Sequence, residues 1–286
     1  MREKMMYDFD KETVDMNEKG KNPGKTPVLE VENVWKAFNA GEGPVLKEVS
    51  FTLFEGEIMG LAGVSGCGKT TLSRIITGII SCDRGKVLYR GKEIPQIGSR
   101  NRSLNEFPVQ MIFQNAIASF DRDYTIGYSL REACTASGMD KESMDDEIGN
   151  IISECDLPIE ILKKKPTQVS GGQMQRLAIS RALLTKPEVL IADEIISALD
   201  IPIQLRILDL LRQLAKKRNL SVIFIAHDLM AVKRVSDRAV VLYEGEKVFD
   251  DTPQNIWGEN VHFHIKELAD AVAKVSLSLM DATTTN

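Results

Sequence analysis

Apolar and polar positions alternate along V-L-E-V-E-N-V, starting at Val28, which is the pattern of a strand with one buried face. The same reading predicts a strand over Val45–Leu53. It also predicts a turn at Glu55-Gly56 that feeds a short buried strand ending at Gly63. A helix is predicted from about Lys69 to Thr77, with Gly78 placed to end it. G-K-V-L-Y-R-G-K-E-I alternates again and predicts another strand. From residue 115 to residue 168 the strand signals thin out. Y-S-L-R-E-A-C-T-A-S and S-M-D-D-E-I-G-N-I-I-S-E-C-D-L follow helical spacing, and Leu157-Pro158 and Lys165-Pro166 punctuate the end. That stretch predicts an inserted α-helical subdomain. After Ser170 a helix is followed by the strand V-L-I-A-D, the helix P-I-Q-L-R-I-L-D-L-L-R-Q-L-A, the strand S-V-I-F-I-A-H, another helix and the strand A-V-V-L-Y. Strands alternating with helices predict an α/β fold whose mostly parallel sheet is covered on both faces.

The two ends read differently. Residues 1–27 are polar and charged, and predict a flexible N-terminal tail, because they carry too little apolar surface to offset the entropy of ordering. The main domain is expected over residues 28–256. Residues 257–286 predict an amphipathic helix and a tail, with Ile265, Leu268, Val272, Val275 and Leu279 forming a seam. Such a seam either docks on the chain's own core or meets another subunit.

Composition narrows the class. A chain of 286 residues, 43% hydrophobic and 27% charged, has material for a large core. A net charge of −5 argues against a general nucleic-acid binder. Cys67, Cys82, Cys134 and Cys155 are far apart and show no Cys-x-x-Cys spacing, which fits a reducing cytosol and not a disulfide or zinc framework. No apolar run approaches the length that spans a bilayer, and M-R-E-K-M-M-Y-D-F-D lacks a signal-peptide core. If the chain serves a membrane, it is therefore expected to do so from the cytoplasmic surface, with a separate partner.

The chemistry begins at G-V-S-G-C-G-K-T-T, which fits G-x-x-x-x-G-K-[S/T] between a predicted strand and a predicted helix. Gly63, Val64, Ser65, Gly66, Cys67, Gly68, Lys69, Thr70 and Thr71 are the expected phosphate cradle. Its glycines let backbone N–H groups curl around phosphate oxygens. Lys69 reaches the β- and γ-phosphates, and the Thr70 hydroxyl ligates Mg²⁺. Cys67 reads as a small loop residue with no redox role. The strand before and the helix after weigh against a chance glycine-rich turn. P-E-V-L-I-A-D-E ends an apolar strand in two carboxylates, at the edge where open α/β sheets bind ligands. Asp193 suits a direct or water-mediated Mg²⁺ role, and Glu194 suits the base that polarises the attacking water. A solvated strand end is the plain alternative. His227, closing S-V-I-F-I-A-H, falls at the same edge and is read as a γ-phosphate contact, although a lone histidine is more often structural. Gln114 ends V-Q-M-I-F-Q where the helical stretch begins, and is a candidate for touching Mg²⁺ or the attacking water. V-S-G-G-Q, Val169 to Gln173, stands before a helix and makes a second anion-gripping turn, without a lysine.

Taken together, the phosphate loop, Gln114, V-S-G-G-Q, Asp193-Glu194, S-A-L-D and His227 resemble, in order and spacing, the nucleotide-binding subunit of ABC transporters. The resemblance covers about residues 28–257. It implies a P-loop NTPase core of RecA type with an antiparallel β subdomain and the helical insert. It also implies two cassettes paired head to tail, so that Ser170, Gly171, Gly172 and Gln173 of one close on the ATP held by the other. By the same likeness Phe38 stacks on adenine, and Asp200 lies in the segment that crosses the dimer interface. V-Q-M-I-F-Q-N-A-I-A-S-F-D, L-P-I-E-I-L-K-K-K-P-T-Q-V-S-G-G-Q and S-A-L-D-I-P-I-Q look like the peptide/nickel importer branch. That branch implies ATP and Mg²⁺ as cofactors and two membrane permease subunits. It further implies an identical or homologous ATPase partner, an extracellular substrate-binding protein acting indirectly, and no nucleic acid. The expected role is ATP hydrolysis coupled to uptake of peptides, nickel or metal-chelates. The alternative is a soluble ABC ATPase serving as scaffold or remodelling subunit of a cytosolic assembly, and a groove near residues 114–130 favours the importer. Three departures stand out. Ile195 and Ile196 replace the usual proline and small or hydroxyl residue. V-H-F-H-I-K-E-L stands where the branch often has His-Pro-Tyr-Thr. No cysteine follows Cys155, so no iron–sulfur cluster is expected.

Overall fold

The computed structural model describes residues 24–39, 43–95, 108–258, 261, 263 and 265–266. The N-terminal tail reading and four of the five seam residues, Leu268, Val272, Val275 and Leu279, fall outside the described residues.

Among the described residues ten strands form two sheets. β1 (Pro27–Lys36), β2 (Leu46–Phe54), β4 (Arg84–Tyr89) and β5 (Lys92–Glu93) make an antiparallel sheet ordered β2-β1-β4-β5. β3 (Ile58–Gly63), β6 (Val109–Ile112), β7 (Val189–Asp193), β8 (Ser221–Ile225), β9 (Arg238–Tyr243) and β10 (Glu246–Asp251) make the second sheet, ordered β10-β9-β3-β8-β7-β6. Five of its strands run parallel, and β10 is antiparallel at the edge. The mixed α/β architecture with a parallel-rich sheet is the one that the alternation of strands and helices predicts.

The parallel strands are near-continuous apolar runs because both of their faces are buried. In β7 the period of two sends Leu190 and Ala192 to one cluster and Val189 and Ile191 to the other. The first cluster also takes α2 (Ile126–Ala136), α3 (Lys141–Glu154), α4 (Gly171–Leu184), α5 (Ile201–Arg218) and α6 (Leu229–Val235). The second takes α1 (Lys69–Ile76) and the antiparallel sheet. Ile265, the described seam residue, is buried in the helix-side cluster.

Three local features differ from the pattern reading. G-K-V-L-Y-R-G-K-E-I is a hairpin, not one strand, because Arg90 (φ 48°) and Gly91 (φ 75°) make the two-residue left-handed turn that joins β4 to β5. The predicted strands ending at Gln114 and His227 stop two residues earlier, at Ile112 and Ile225. β10 has no counterpart in the pattern, since Glu246–Asp251 is mostly charged. It pairs with β9 across the left-handed turn at Glu244-Gly245, and an ion cluster ties it further. Arg238 of β9 pairs with Glu57 at 2.7 Å and with Asp250 of β10, and donates to the Thr52 carbonyl. Glu57 is itself buried and accepts the Phe54 N–H at 2.9 Å, so each charge in the cluster has a partner.

Candidate functional site

The registers set the site. Gly63 pairs with Leu242, Leu61 and Asp193 both pair with Ile225, and Ile112 pairs with Ala192. All five parallel strands therefore end on one edge. That edge receives the phosphate loop after β3, Glu194 after β7, His227 after β8 and Gln114 after β6.

The loop keeps its shape through its glycines and lysine. Gly63 (φ 149°) has the Leu242 carbonyl where a Cβ would lie, at 2.3 Å, and Gly68 (φ 105°) has Leu46 Cδ2 at 2.6 Å and the Val45 carbonyl at 2.8 Å. A side chain at either position is excluded by strain and by contact. Lys69 is only 5% exposed, and its ammonium donates to the carbonyls of Gly63 (2.7 Å) and Val64 (3.0 Å), with Cys67 Sγ at 3.9 Å. Cys67 is buried, and burial pushes its thiol up in pKa, which leaves it a poor thiolate. Val64, Ser65, Gly66 and Thr70 are exposed on the outer side of the loop, and Thr71 is half-buried.

Asp193 is the last residue of β7 and is 4% exposed. Burial, and then the neighbouring Glu194 carboxylate, push its carboxyl up to about 6, while Lys69 and Arg74 act in the opposite sense. Its Oδ1 is buried without a hydrogen-bond partner. Glu194 leaves the strand with a left-handed backbone, φ 49°, held by its N–H to the Ile225 carbonyl at 3.0 Å. That turn carries the carboxylate out of the strand to Gln114, whose Nε2 donates to Glu194 Oε2 at 2.9 Å and lies 3.5 Å from Ser197 Oγ. Ser197 Oγ donates back to the Glu194 carbonyl at 3.0 Å. Ile195 and Ile196 are both buried in the helix-side cluster, so the unusual pair is an apolar anchor for the turn. His227 is exposed just beyond β8, one residue before Asp228 caps α6.

Ser170 caps α4. Its hydroxyl accepts the Gln173 N–H at 3.3 Å, and Gln173 Oε1 accepts the Ser170 N–H at 3.1 Å. The turn abuts the start of α5: a Cβ on Gly172 would lie 2.8 Å from Ile203 Cγ2, and one on Gly171 would lie 3.5 Å from Leu199. Asp200 is the N-cap position of α5, with no cap bond from its side chain. Within one chain the structure thus brings together the phosphate loop, Asp193, Glu194 and Gln114. The Ser170–Gln173 turn packs instead on the 199–203 segment. Phe38, 57% exposed, follows β1, with the Lys36 ammonium 5.6 Å from its ring centroid.

The pattern did not point to a cavity of about 290 Å³ between β6, α2 and α4, whose lining includes Gln110, Ile112, Phe113, Ala133, Ala178 and Arg181. Its floor is Ala-rich, and Phe113, Ile117, Tyr124 and Tyr128 are exposed on the β6–α2 segment around it. Tyr124 and Tyr128 stack with centroids 4.3 Å apart. The signal in the sequence was the spacing Ala178-x-x-x-Ala182, which leaves room on a helix face.

Comparison with known proteins agrees with this geometry. Residues 46–197 match the family described as ABC transporter. The oligopeptide transport ATP-binding protein OppF of Haemophilus influenzae is 35% identical over 229 residues, 79% of this chain and 69% of that protein. OppF of Salmonella typhimurium is 37% identical, covering 78% of this chain and 68% of its own length, and OppF of Streptococcus mutans is 35% identical, covering 86% and 81%. Among solved structures, cbiO1 from Clostridium perfringens, part of the ABC transporter complex cbiONQ, superposes with a TM-score of 0.74 at 23% identity, covering 89% of this chain and 99% of that one. At that identity the likeness speaks for the fold. The chain belongs to the ABC transporter family, as an ATP-binding cassette with ATPase activity that groups with the peptide-importer subunits.

Proposed function

We propose that this cassette, working on the cytoplasmic face of a membrane, hydrolyses Mg²⁺-ATP in a pair with an identical or homologous cassette and so drives uptake of peptides through two permease subunits. An extracellular binding protein would deliver the cargo. Peptide is the proposed cargo because the relatives are named as oligopeptide transport ATP-binding proteins. Among the described residues no helix is long and apolar enough to cross a membrane, so the permease function is assigned to other chains.

The observation that carries the reading is the Gln114–Glu194 hydrogen bond at the carboxyl edge, with an Ala-rich cavity lined by β6 and by Phe113, the residue before Gln114. It links the candidate base to a concave surface where a short helix of a permease would fit. In the proposed cycle Lys69 exchanges the carbonyls of Gly63 and Val64 for phosphate oxygens, and the α1 N-terminus offers its N–H groups. Phe38 takes the adenine. Glu194 polarises the attacking water when Gln114 releases its carboxylate, and His227 holds the γ-phosphate. The other cassette's Ser170–Gln173 turn closes the site, and Asp200 lies at the join. The residues fit Mg²⁺. The orphaned Asp193 Oδ1, the exposed Thr70 hydroxyl and the Gln114 amide are hard oxygen donors, and one carboxylate with substrate phosphates is the usual Mg²⁺ arrangement. When bound there, Mg²⁺ would neutralise phosphate charge. The buried Asp193 carboxylate would gain the partner it lacks.

The test is to tag the chain, solubilise membranes gently, identify what co-purifies by mass spectrometry, and assay labelled-oligopeptide uptake in cells lacking the chain. Two polytopic subunits and lost uptake are expected. Only soluble partners from intact, well-expressed complex would contradict the importer reading.

A further inference from the structure

Beyond β1 the chain leaves the antiparallel sheet and carries Phe38 into solvent. The end of β1 is loosely paired. Its register slips between Glu32 and Trp35 against β4, and between Val34 and Lys36 against β2. The ladder still pairs Trp35 with Arg84 and Lys36 with Leu46, and the strand ends at Lys36. Asp83, the residue just before β4, adds a second hold that reaches Ala37. Its backbone N–H donates to the Trp35 carbonyl at 2.9 Å. Its Oδ1 accepts the Lys36 ammonium at 2.8 Å, and its Oδ2 accepts the Ala37 N–H at 2.7 Å. Three consecutive residues are thus gripped by one aspartate, and the next residue is Phe38.

We propose that Asp83 is a positioning residue for base recognition: by holding Trp35, Lys36 and Ala37 it presents the Phe38 ring as a preset platform for a purine. This rests on the reading of Phe38 as the adenine contact. Two observations tie the grip to the ring. The Lys36 ammonium that Asp83 holds stands 5.6 Å from the Phe38 centroid, so the ring's neighbour is fixed together with its backbone. The Asp83 carboxyl is held below the usual carboxylate range, first by the Ala37 N–H and then by Lys36, so it stays ionised at working pH. A preset ring spares the ATP site the cost of ordering residues 36–38 on binding. An ion-paired Lys36 is also kept from competing for phosphate oxygens. The consequence is selective: Asp83 should matter for ligands that carry a base and not for those that carry only phosphates.

The test uses the full chain and two competitors, ATP and inorganic triphosphate, in equilibrium binding. Asp83→Ala is expected to weaken ATP by about five- to tenfold and to leave triphosphate within about twofold, since the two side-chain hydrogen bonds to Lys36 and Ala37 are lost while the backbone bond to Trp35 stays. Asp83→Asn should restore most of the ATP affinity, because its amide oxygen still accepts the Ala37 N–H. Phe38→Ala should weaken ATP comparably, and the double variant should be no weaker than Phe38→Ala alone. If Phe38→Ala weakens ATP while Asp83→Ala does not, the inference about Asp83 fails and the Phe38 reading survives. If Phe38→Ala binds ATP normally, the Phe38 reading fails first and takes this inference with it. Equal losses of ATP and triphosphate in Asp83→Ala, or additive losses in the double variant, would assign Asp83 to general stability and overturn the proposal.

Discussion

The chain carries two turns that offer backbone N–H groups ahead of a helix, and they are built differently. In the phosphate loop the glycines are demanded by the chain itself, since Gly63 and Gly68 have left-handed backbones with other backbone atoms where a Cβ would stand. Lys69 is part of the same closed unit. In the Ser170–Gln173 turn the backbone is ordinary, and Ser170 and Gln173 satisfy each other. Gly171 is exposed, and a methyl group there would make only an ordinary contact with Leu199. The fold does not need that glycine. The first turn is thus complete within one chain. In the second, Gly172 is demanded by Ile203 but Gly171 is not, which supports the proposal that Gly171 is kept bare for an opposing cassette.

The largest effect is expected at the lysine. Lys69→Ala removes both the cradle's cation and the donor to two loop carbonyls. ATP hydrolysis should fall by about 10³-fold or more, with ATP binding weakened in calorimetry. Next come the glycines, which should separate stability from activity. Gly68→Ala should cost about 2 kcal/mol or more of stability, read as a lower melting temperature, because its strain and contacts are internal. Gly171→Ala should leave melting within about 0.5 kcal/mol of wild type and still lower hydrolysis by about tenfold or more. A parallel loss of both properties at Gly171 would erase the distinction. The smallest effect is expected at Ile195→Pro. The residue is buried, and none of the backbone hydrogen bonds described uses its N–H, so folding should persist while the fixed φ next to Glu194 changes turnover by about two- to fivefold. An unchanged rate in the purified complex would detach this turn from catalysis.

Elements built on strong periodicity were legible in the sequence. V-L-I-A-D and S-V-I-F-I are strands because both faces are buried, and the loop-then-helix at Lys69 follows from its glycines. Elements decided by long-range charge were not. β10 is mostly charged; it is laid down as a hairpin with β9, and Arg238 then ties Asp250 to Glu57, which is 181 residues from Arg238. The hairpin at Arg90-Gly91 was hidden because Arg90 rarely takes a left-handed backbone, and here it is tied by ion pairs to Glu55 at 2.6 Å and Glu188 at 2.8 Å. At the site, residue types named Asp193, Glu194 and Gln114, but not the left-handed turn at Glu194 or the hydrogen bond that joins it to Gln114. Those depend on the parallel register of β6, β7 and β8, which no local pattern encodes.

The most direct test of the central claim is the particle mass of Glu194→Gln, purified with whatever cassette accompanies it, measured by light scattering with and without Mg²⁺-ATP. On the proposed function, the second turn closes on the ATP of an opposing cassette. The account therefore predicts that hydrolysis falls by about 10²- to 10⁴-fold, that ATP stays bound, and that particles holding two cassettes accumulate only with ATP. Full ATP occupancy on particles that hold one cassette at every protein concentration would contradict it.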